Sequence, residues 1–479
     1  MALKAPPSQD IVIMGASGDL SQRKLIPAIY NLAAGSLLPP EGQIVGFART
    51  DLGEQGFRDL ARRSIQQFSR TGFDETVWAG LVPRITYVKN DDHAYGPLKR
   101  ALRENERLIY MAIPPSALPD IITGLHDAEL AQDTRIVVEK PFGHDLASAR
   151  ELNHVIHKVF HESQVFRIDH YLGKETVQNI LVFRFGNSVF ERVWDRDAVD
   201  HVQLTVAESI GIENRGAYFE EAGILRDIVQ NHALQMLSLL TMEPPSNMAP
   251  ESIRDEKIKV IRAMQPLNPA RTVRGQYTGG TIDGQPVPGY RQEKDVSPDS
   301  MTETFFAAQM EIDSWRWAGV PFFVRTGKRL PGRATEIVVQ FREPPLCFFE
   351  GTDVTHLPSD HLVMRIQPDE GIQFTFLAKR PGPEVGVQPV TMEFDYSSSF
   401  MTSPPEAYER LLHDVMVGDH TLFMREDAAE RAWVVVEPAL ENPTPTCMYP
   451  AGTWGPREAD QLIAPRAWHL HLEGVDDGR

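Results

Sequence analysis

Ile11-Val-Ile-Met-Gly-Ala-Ser-Gly-Asp-Leu-Ser-Gln-Arg-Lys24, continuing into Leu25-Ile-Pro-Ala-Ile-Tyr-Asn-Leu32, is the stretch that decides the fold. A short apolar run ends at Gly15 and Gly18, and apolar residues then recur at helical spacing, which predicts strand, glycine-rich turn, helix. Such a turn lets backbone amides approach an anion at the positive end of a helix dipole, as a dinucleotide pyrophosphate requires. Gly15-x-x-Gly18 departs from the commoner G-x-G-x-x-G spacing.

Working outward, further strand candidates are Ile44 to Ala48, Arg84 to Val88, Leu108 to Ala112 and Arg135 to Glu139. Strands alternating with helical stretches imply an α/β fold with a parallel, doubly wound sheet. Residues 1–171 therefore read as a Rossmann-like dinucleotide-binding domain. Beyond it the texture changes to alternating segments, Asp200 to Ala207, Glu336 to Phe341 and His361 to Gln367, which predict half-buried antiparallel strands. Residues 172–479 then form a larger α+β domain with a mainly antiparallel sheet. Met242 to Pro250, Pro266 to Pro288 and Asn442 to Pro450, rich in Pro and Gly, read as loops.

The 479 residues carry a net charge of −18, which argues against binding to nucleic acid or an anionic membrane. A small anion is held by a local cluster of donors, so the charge does not exclude one. No apolar run approaches the roughly 18 residues of a membrane span, and Met1 to Asp10 lacks the apolar core of a secretory signal. Cys347 and Cys447 are the only cysteines, neither a disulfide framework nor a metal site. The expectation is a cytoplasmic protein without a metal.

Where an NAD-specific fold places an acid, after the second strand, this chain has Arg49 and Thr50. A guanidinium and a hydroxyl suit a 2′-phosphate, so NADP is expected, and Asp51 keeps NAD possible. Glu139-Lys-Pro-Phe-Gly143 closes the last predicted strand of the domain, where ligands of such sheets bind, and a lysine there can bridge coenzyme and substrate. In Arg167-Ile-Asp-His-Tyr-Leu-Gly-Lys-Glu175, predicted to be a short turn, Lys174 and a protonatable His170 can neutralise a phosphate dianion, Tyr171 can donate to it, and Asp169 can orient a base. Tyr218 to Gln235 reads as a helix, with Ile224, Ile228, His232 and Met236 on one face. By pattern alone His232 is a buried core histidine.

The Arg167 to Glu175 string resembles the signature of the glucose-6-phosphate dehydrogenase family, and Gly15 to Lys24 resembles its coenzyme fingerprint, with Ser21 where the family usually has Ala. The resemblance runs in order from Ile11 to at least Gln367. It implies oxidation of glucose 6-phosphate to 6-phosphogluconolactone with hydride transfer to NADP, the first step of the oxidative pentose phosphate pathway. His232 would be the general base and Asp169 its orienting acid. Lys140, His170, Tyr171, Lys174, Glu208, Asp227, Lys328, Arg333 and Gln367 would contact the substrate. Gly15, Ser17, Gly18, Asp19, Leu20, Arg49, Thr50, Ala112, Pro114 and Lys140 would contact the coenzyme. The resemblance also implies a cis bond before Pro141 and a homodimer through the large sheet, or a dimer of dimers. Two rivals stand beside it: a dehydrogenase of a non-phosphorylated sugar, since Glu-Lys-Pro also occurs in the glucose-fructose oxidoreductase and inositol dehydrogenase group, and a non-catalytic NADP-binding regulator. Against the first stand His170, Tyr171 and Lys174, a donor cluster without evident use unless a phosphate is bound. Against the second stand Asp169, His232 and Lys140, since a regulator has no need of a base.

Overall fold

The structure, a computed structural model, describes residues 5–91, 95–103, 106–347, 357–383, 385–400 and 405–469. It divides into two compact units, Met1–Glu175 with Pro245–Asp255 and Pro404–Glu430, and Thr176–Pro244 with Glu256–Ser403 and Arg431–Arg479. The first unit is thus discontinuous, whereas the sequence suggested one boundary at Tyr171. The helix Ala407–Val417 belongs to it because the Glu409 carboxylate accepts two bonds of 2.7 Å from Arg70 and one of 2.9 Å from Asn31.

The first unit holds a seven-stranded sheet in the order Phe423–Met424, Val165–Ile168, Thr134–Val138, Arg107–Met111, Asp10–Met14, Ile44–Ala48, Ile85–Lys89. Every pairing is parallel except that of the two-residue edge strand. Its apolar strands are covered on both faces, which is why they appear in the sequence as unbroken apolar runs. The predicted strands fall within a residue of the observed ones. Chain order reverses beside Asp10–Met14, so its carboxyl end and that of Arg107–Met111 flank the switch point where such sheets bind ligands. The strand ending before Glu139 is not the last, because Val165–Ile168 pairs beyond it. Arg167 interrupts that strand's apolar pattern, yet it is buried, with Nη1 donating to both Glu162 carboxylate oxygens at 2.8 Å.

The second unit is built on a nine-stranded sheet, in the order Val387–Asp395, Gly371–Lys379, His361–Gln367, Ala334–Phe341, Val199–Ala207, Phe322–Gly327, Phe305–Met310, Thr272–Thr278, Thr446–Pro450. Six of the eight pairings are antiparallel. Two expectations need correction. Val199–Ala207 is covered on both faces rather than half-buried, because its polar side is roofed by the segment around Ala467: Gln203 donates to Ala467 O at 3.0 Å and accepts from His469 N at 2.8 Å. Two of the predicted loops also contain strands of the sheet, Thr272–Thr278 and Thr446–Pro450, which pair with each other in parallel.

Candidate active site

In the first unit the glycine-rich turn fits a dinucleotide. Gly15 has φ +77°, and a Cβ there would lie 2.1 Å from the carbonyl oxygen of Ala112. Glycine is therefore obligatory where the ends of two strands converge, and the bare backbone can meet a pyrophosphate closely. The turn is tied by Gly18 N donating to Gly15 O at 2.9 Å and by the Ser21 hydroxyl donating to the same oxygen at 3.1 Å. The Ser17 and Thr50 hydroxyls lie 3.2 Å apart, so two residues expected at the coenzyme meet across neighbouring strand ends. Asp19 is exposed, paired with Arg23 at 2.9 Å, and begins the helical segment that Leu20 continues, and Pro114 is exposed beyond Ala112. Arg49 is exposed and has no partner among the described residues, whereas the neighbouring Asp51 is paired with Lys89 at 3.5 Å.

The Lys140–Pro141 bond is cis, as the resemblance implied. Glu139, just before it, accepts hydrogen bonds from the Tyr110 and Tyr408 hydroxyls. Burial pushes the Glu139 carboxyl above the usual carboxylate range, against the Tyr110 hydroxyl and the Lys140 charge, which favour its ionised form. The Asp169 to Lys174 stretch is the expected turn, closed by Leu172 N to Asp169 O at 3.0 Å and Lys174 N to Tyr171 O at 3.1 Å. Asp169 is buried, with Oδ1 accepting from Tyr171 N at 2.9 Å. His170 is half-buried with its ring nearly parallel to Tyr408, and the Lys174 ammonium stands 4.9 Å from the centre of the Tyr171 ring.

In the second unit the parallel pairing of Val199–Ala207 with Phe322–Gly327 delivers Glu208 and Lys328 side by side at their carboxyl ends. Lys328 is fully buried, bonded to the Glu208 carboxylate, 4.0 Å from Asp227 and 5.2 Å from the centre of the Phe219 ring. Asp227 also accepts from the Tyr218 hydroxyl at 3.3 Å, and burial together with Asp227 pushes that phenol well up, so it stays a donor. Arg333, just before the strand Ala334–Phe341, donates to Gln367 Oε1 at 3.0 Å, at the end of the neighbouring strand His361–Gln367.

His232 is completely buried. It lies in Leu225–Ala233, a π-type helix, whose turns are wider than those of an α-helix; Asn231 ties it, donating to Arg226 O at 3.0 Å and accepting from His232 N at 2.6 Å. The expected apolar face is buried, but so are Asp227, Gln230 and Asn231 on the others. Gly223 makes the entry to this helix, at φ +62°, with the Glu303 carboxylate 2.4 Å from where its Cβ would be. Tyr218, Phe219, Tyr110 and Tyr408 were missed from sequence. Tyr218 and Phe219 open the helical stretch that was singled out, so their spacing to Asp227 was the available signal; Tyr408 had none.

Two family models match the chain: "Glucose-6-phosphate dehydrogenase, NAD binding domain" over residues 12–179 and "Glucose-6-phosphate dehydrogenase, C-terminal domain" over 181–470. Glucose-6-phosphate 1-dehydrogenase 2 of Mycobacterium bovis is 44% identical over 475 residues, covering 95% of this chain and 92% of that protein. The crystal structure of glucose-6-phosphate 1-dehydrogenase from Mycobacterium avium superposes with TM-score 0.88 at 37% identity, covering 98% of this chain and 99% of that one. A glucose-6-phosphate dehydrogenase solved in complex with its substrate glucose-6-phosphate gives TM-score 0.89 at 35% identity, covering 98% of this chain and all of that one, 100%.

Proposed function

The chain belongs to the glucose-6-phosphate dehydrogenase family, and from that membership we propose how its residues divide the work of the reaction. It oxidises glucose 6-phosphate to 6-phosphogluconolactone and passes a hydride to a nicotinamide dinucleotide. The observation that carries this reading is the likeness, over 98% of the chain, to a protein solved with that sugar phosphate bound.

A nicotinamide dinucleotide, when bound, would supply the hydride acceptor for C1. Gly15, Ser17, Gly18, Asp19, Leu20, Ala112, Pro114 and Lys140 hold it in this proposal, with Arg49 and Thr50 reading a 2′-phosphate. NADP is the preferred coenzyme: the guanidinium of Arg49 is exposed, and the acid that would favour NAD, Asp51, is engaged by Lys89. As hydride leaves C1 its hydroxyl proton must leave too, and an imidazole titrates near working pH. His232 takes that proton at a ring nitrogen, and Asp169 fixes the tautomer and stabilises the imidazolium. Glu208 and Asp227 accept from sugar hydroxyls; Lys328, Arg333 and Lys140 donate, and Gln367 makes a further contact. His170, Tyr171 and Lys174 hold the phosphate. The enzyme works in the cytoplasm as a homodimer through its large sheet, as its family membership suggests.

The test is NADP reduction with glucose 6-phosphate, free glucose or neither. Turnover with the phosphorylated sugar alone is expected. Lys174→Ala should weaken use of glucose 6-phosphate by about 2 kcal/mol, the scale of a charge-assisted contact, and barely change residual use of glucose. A proportional loss on both sugars would remove Lys174 from the phosphate site.

A further inference from the structure

Tyr408 stands in the first turn of the helix Ala407–Val417, anchored on both sides. Glu406 pairs with Lys24 at 3.0 Å, and buried Glu409 receives Arg70 at 2.7 Å. Held between these ties, the Tyr408 hydroxyl donates to Glu139 Oε1 at 3.3 Å, the same oxygen that accepts from Tyr110. The face of its ring lies 10° from parallel to the His170 imidazole, with centroids 6.4 Å apart. One side chain therefore reaches both the carboxylate beside Lys140 and the imidazole of the phosphate turn.

We propose that Tyr408 is a positioning residue for glucose 6-phosphate oxidation, its hydroxyl fixing the Glu139 carboxylate beside Lys140 and its ring fixing the plane of His170. This rests on the reading of Lys140 and His170 as substrate contacts. Packing alone gives no reason for the hydroxyl, since a phenylalanine would fill the same space. Glu139 is the one described group to which that hydroxyl donates a hydrogen bond. The two functions are separable because they use different parts of one side chain: the oxygen acts on Lys140, which reaches both sugar and coenzyme, and the ring acts on His170, which reaches the phosphate only.

Steady-state kinetics on the full chain tests this with Tyr408→Phe and Tyr408→Leu. Tyr408→Phe keeps the ring and should lower kcat roughly tenfold, the scale of one lost bond to a charged group, with KM for glucose 6-phosphate within about twofold of wild type. Tyr408→Leu should show that kcat loss and also raise KM for glucose 6-phosphate roughly tenfold, leaving KM for the coenzyme unchanged. Wild-type kcat in Tyr408→Phe would overturn the proposal, as would a KM rise in Tyr408→Leu shared equally by sugar and coenzyme, the mark of a general structural defect. The phenylalanine variant preserves the packed volume and decides the matter if the leucine variant does not fold. A wild-type enzyme that fails to turn over glucose 6-phosphate would sink the parent reading and this inference together, whereas an active wild type with unaffected variants would sink this inference alone.

Discussion

His232 shows how little one residue declares about itself. In sequence it sits at core spacing with Ile224, Ile228 and Met236, and in the structure it is as buried as they are. What separates it from a core residue is its setting, a π-type turn with a buried aspartate five positions before it. With His232 in the proposed role of general base, its loss slows the proton transfer without emptying the site, so His232→Asn should lower kcat by at least about 100-fold while binding of sugar phosphate and coenzyme persists. Near-normal kcat would return His232 to the core. Arg49 makes the opposite case, an exposed side chain without a partner among the described residues, assigned to the 2′-phosphate in the proposal above. Arg49→Ala should raise KM for NADP far more than KM for NAD, because only NADP carries the phosphate the guanidinium would meet. Equal effects on the two coenzymes would refute that assignment.

At the scale of elements, the helix that carries Asp227 and His232 is aimed by what precedes it. Glu303, just before the strand Phe305–Met310, caps its entry: its main-chain oxygen accepts from Ile224 N at 3.0 Å, while its carboxylate accepts from Leu225 N at 3.4 Å and is held by Arg274 at 2.6 Å. Gly223→Ala would combine an unfavourable positive φ with a methyl 2.4 Å from that restrained carboxylate. Destabilisation of about 1–3 kcal/mol is expected in urea titrations, with kcat falling because the helix start shifts. A variant as stable and active as wild type would show that the entry can relax. The same element explains what could be read from sequence. Parallel strands of the first unit were legible because burial on both faces leaves an unbroken apolar run. Val165–Ile168 was not, because the ion pair that lets Arg167 stay inside is made by Glu162, outside the strand. Thr272–Thr278 was hidden among prolines and glycines because both of its neighbours, Phe305–Met310 and Thr446–Pro450, come from later in the chain. Among the candidate residues, those in a motif could be named from sequence, whereas Tyr408, which meets Glu139 only through the fold, had no pattern to reveal it.

Over the whole molecule the net charge of −18 makes acid the informative stress, since protonating carboxylates both relieves repulsion and breaks the pairs that some of them form. Asp200 is the clearest such pair. It binds Arg466 through two bonds of 2.8 and 3.2 Å and His201 Nδ1 at 2.8 Å, fastening the segment that roofs the polar side of the large sheet. Burial alone would raise its carboxyl, but the Arg466 and His201 contacts outweigh it and bring the value down to about 2. An unfolded aspartate titrates near 3.9, so the folded state holds its proton less tightly. The stability Asp200 contributes is therefore complete above the unfolded value and is lost as pH falls towards the folded one. Burial lowers the pKa of His201 as well, which makes its contribution fall in the same direction, starting nearer neutrality. Asp200→Asn keeps the shape and removes the charge, so it should be less stable than wild type at pH 7. Urea titrations should then show the gap between the two proteins narrowing as pH falls from about 4.5 to 2.5, since protonation costs wild type the interaction the variant already lacks. A gap of constant size across that range would mean that the roofing segment is held by the packing of Trp468 over Arg325, 4.4 Å from the ring centre, and not by the ion pair.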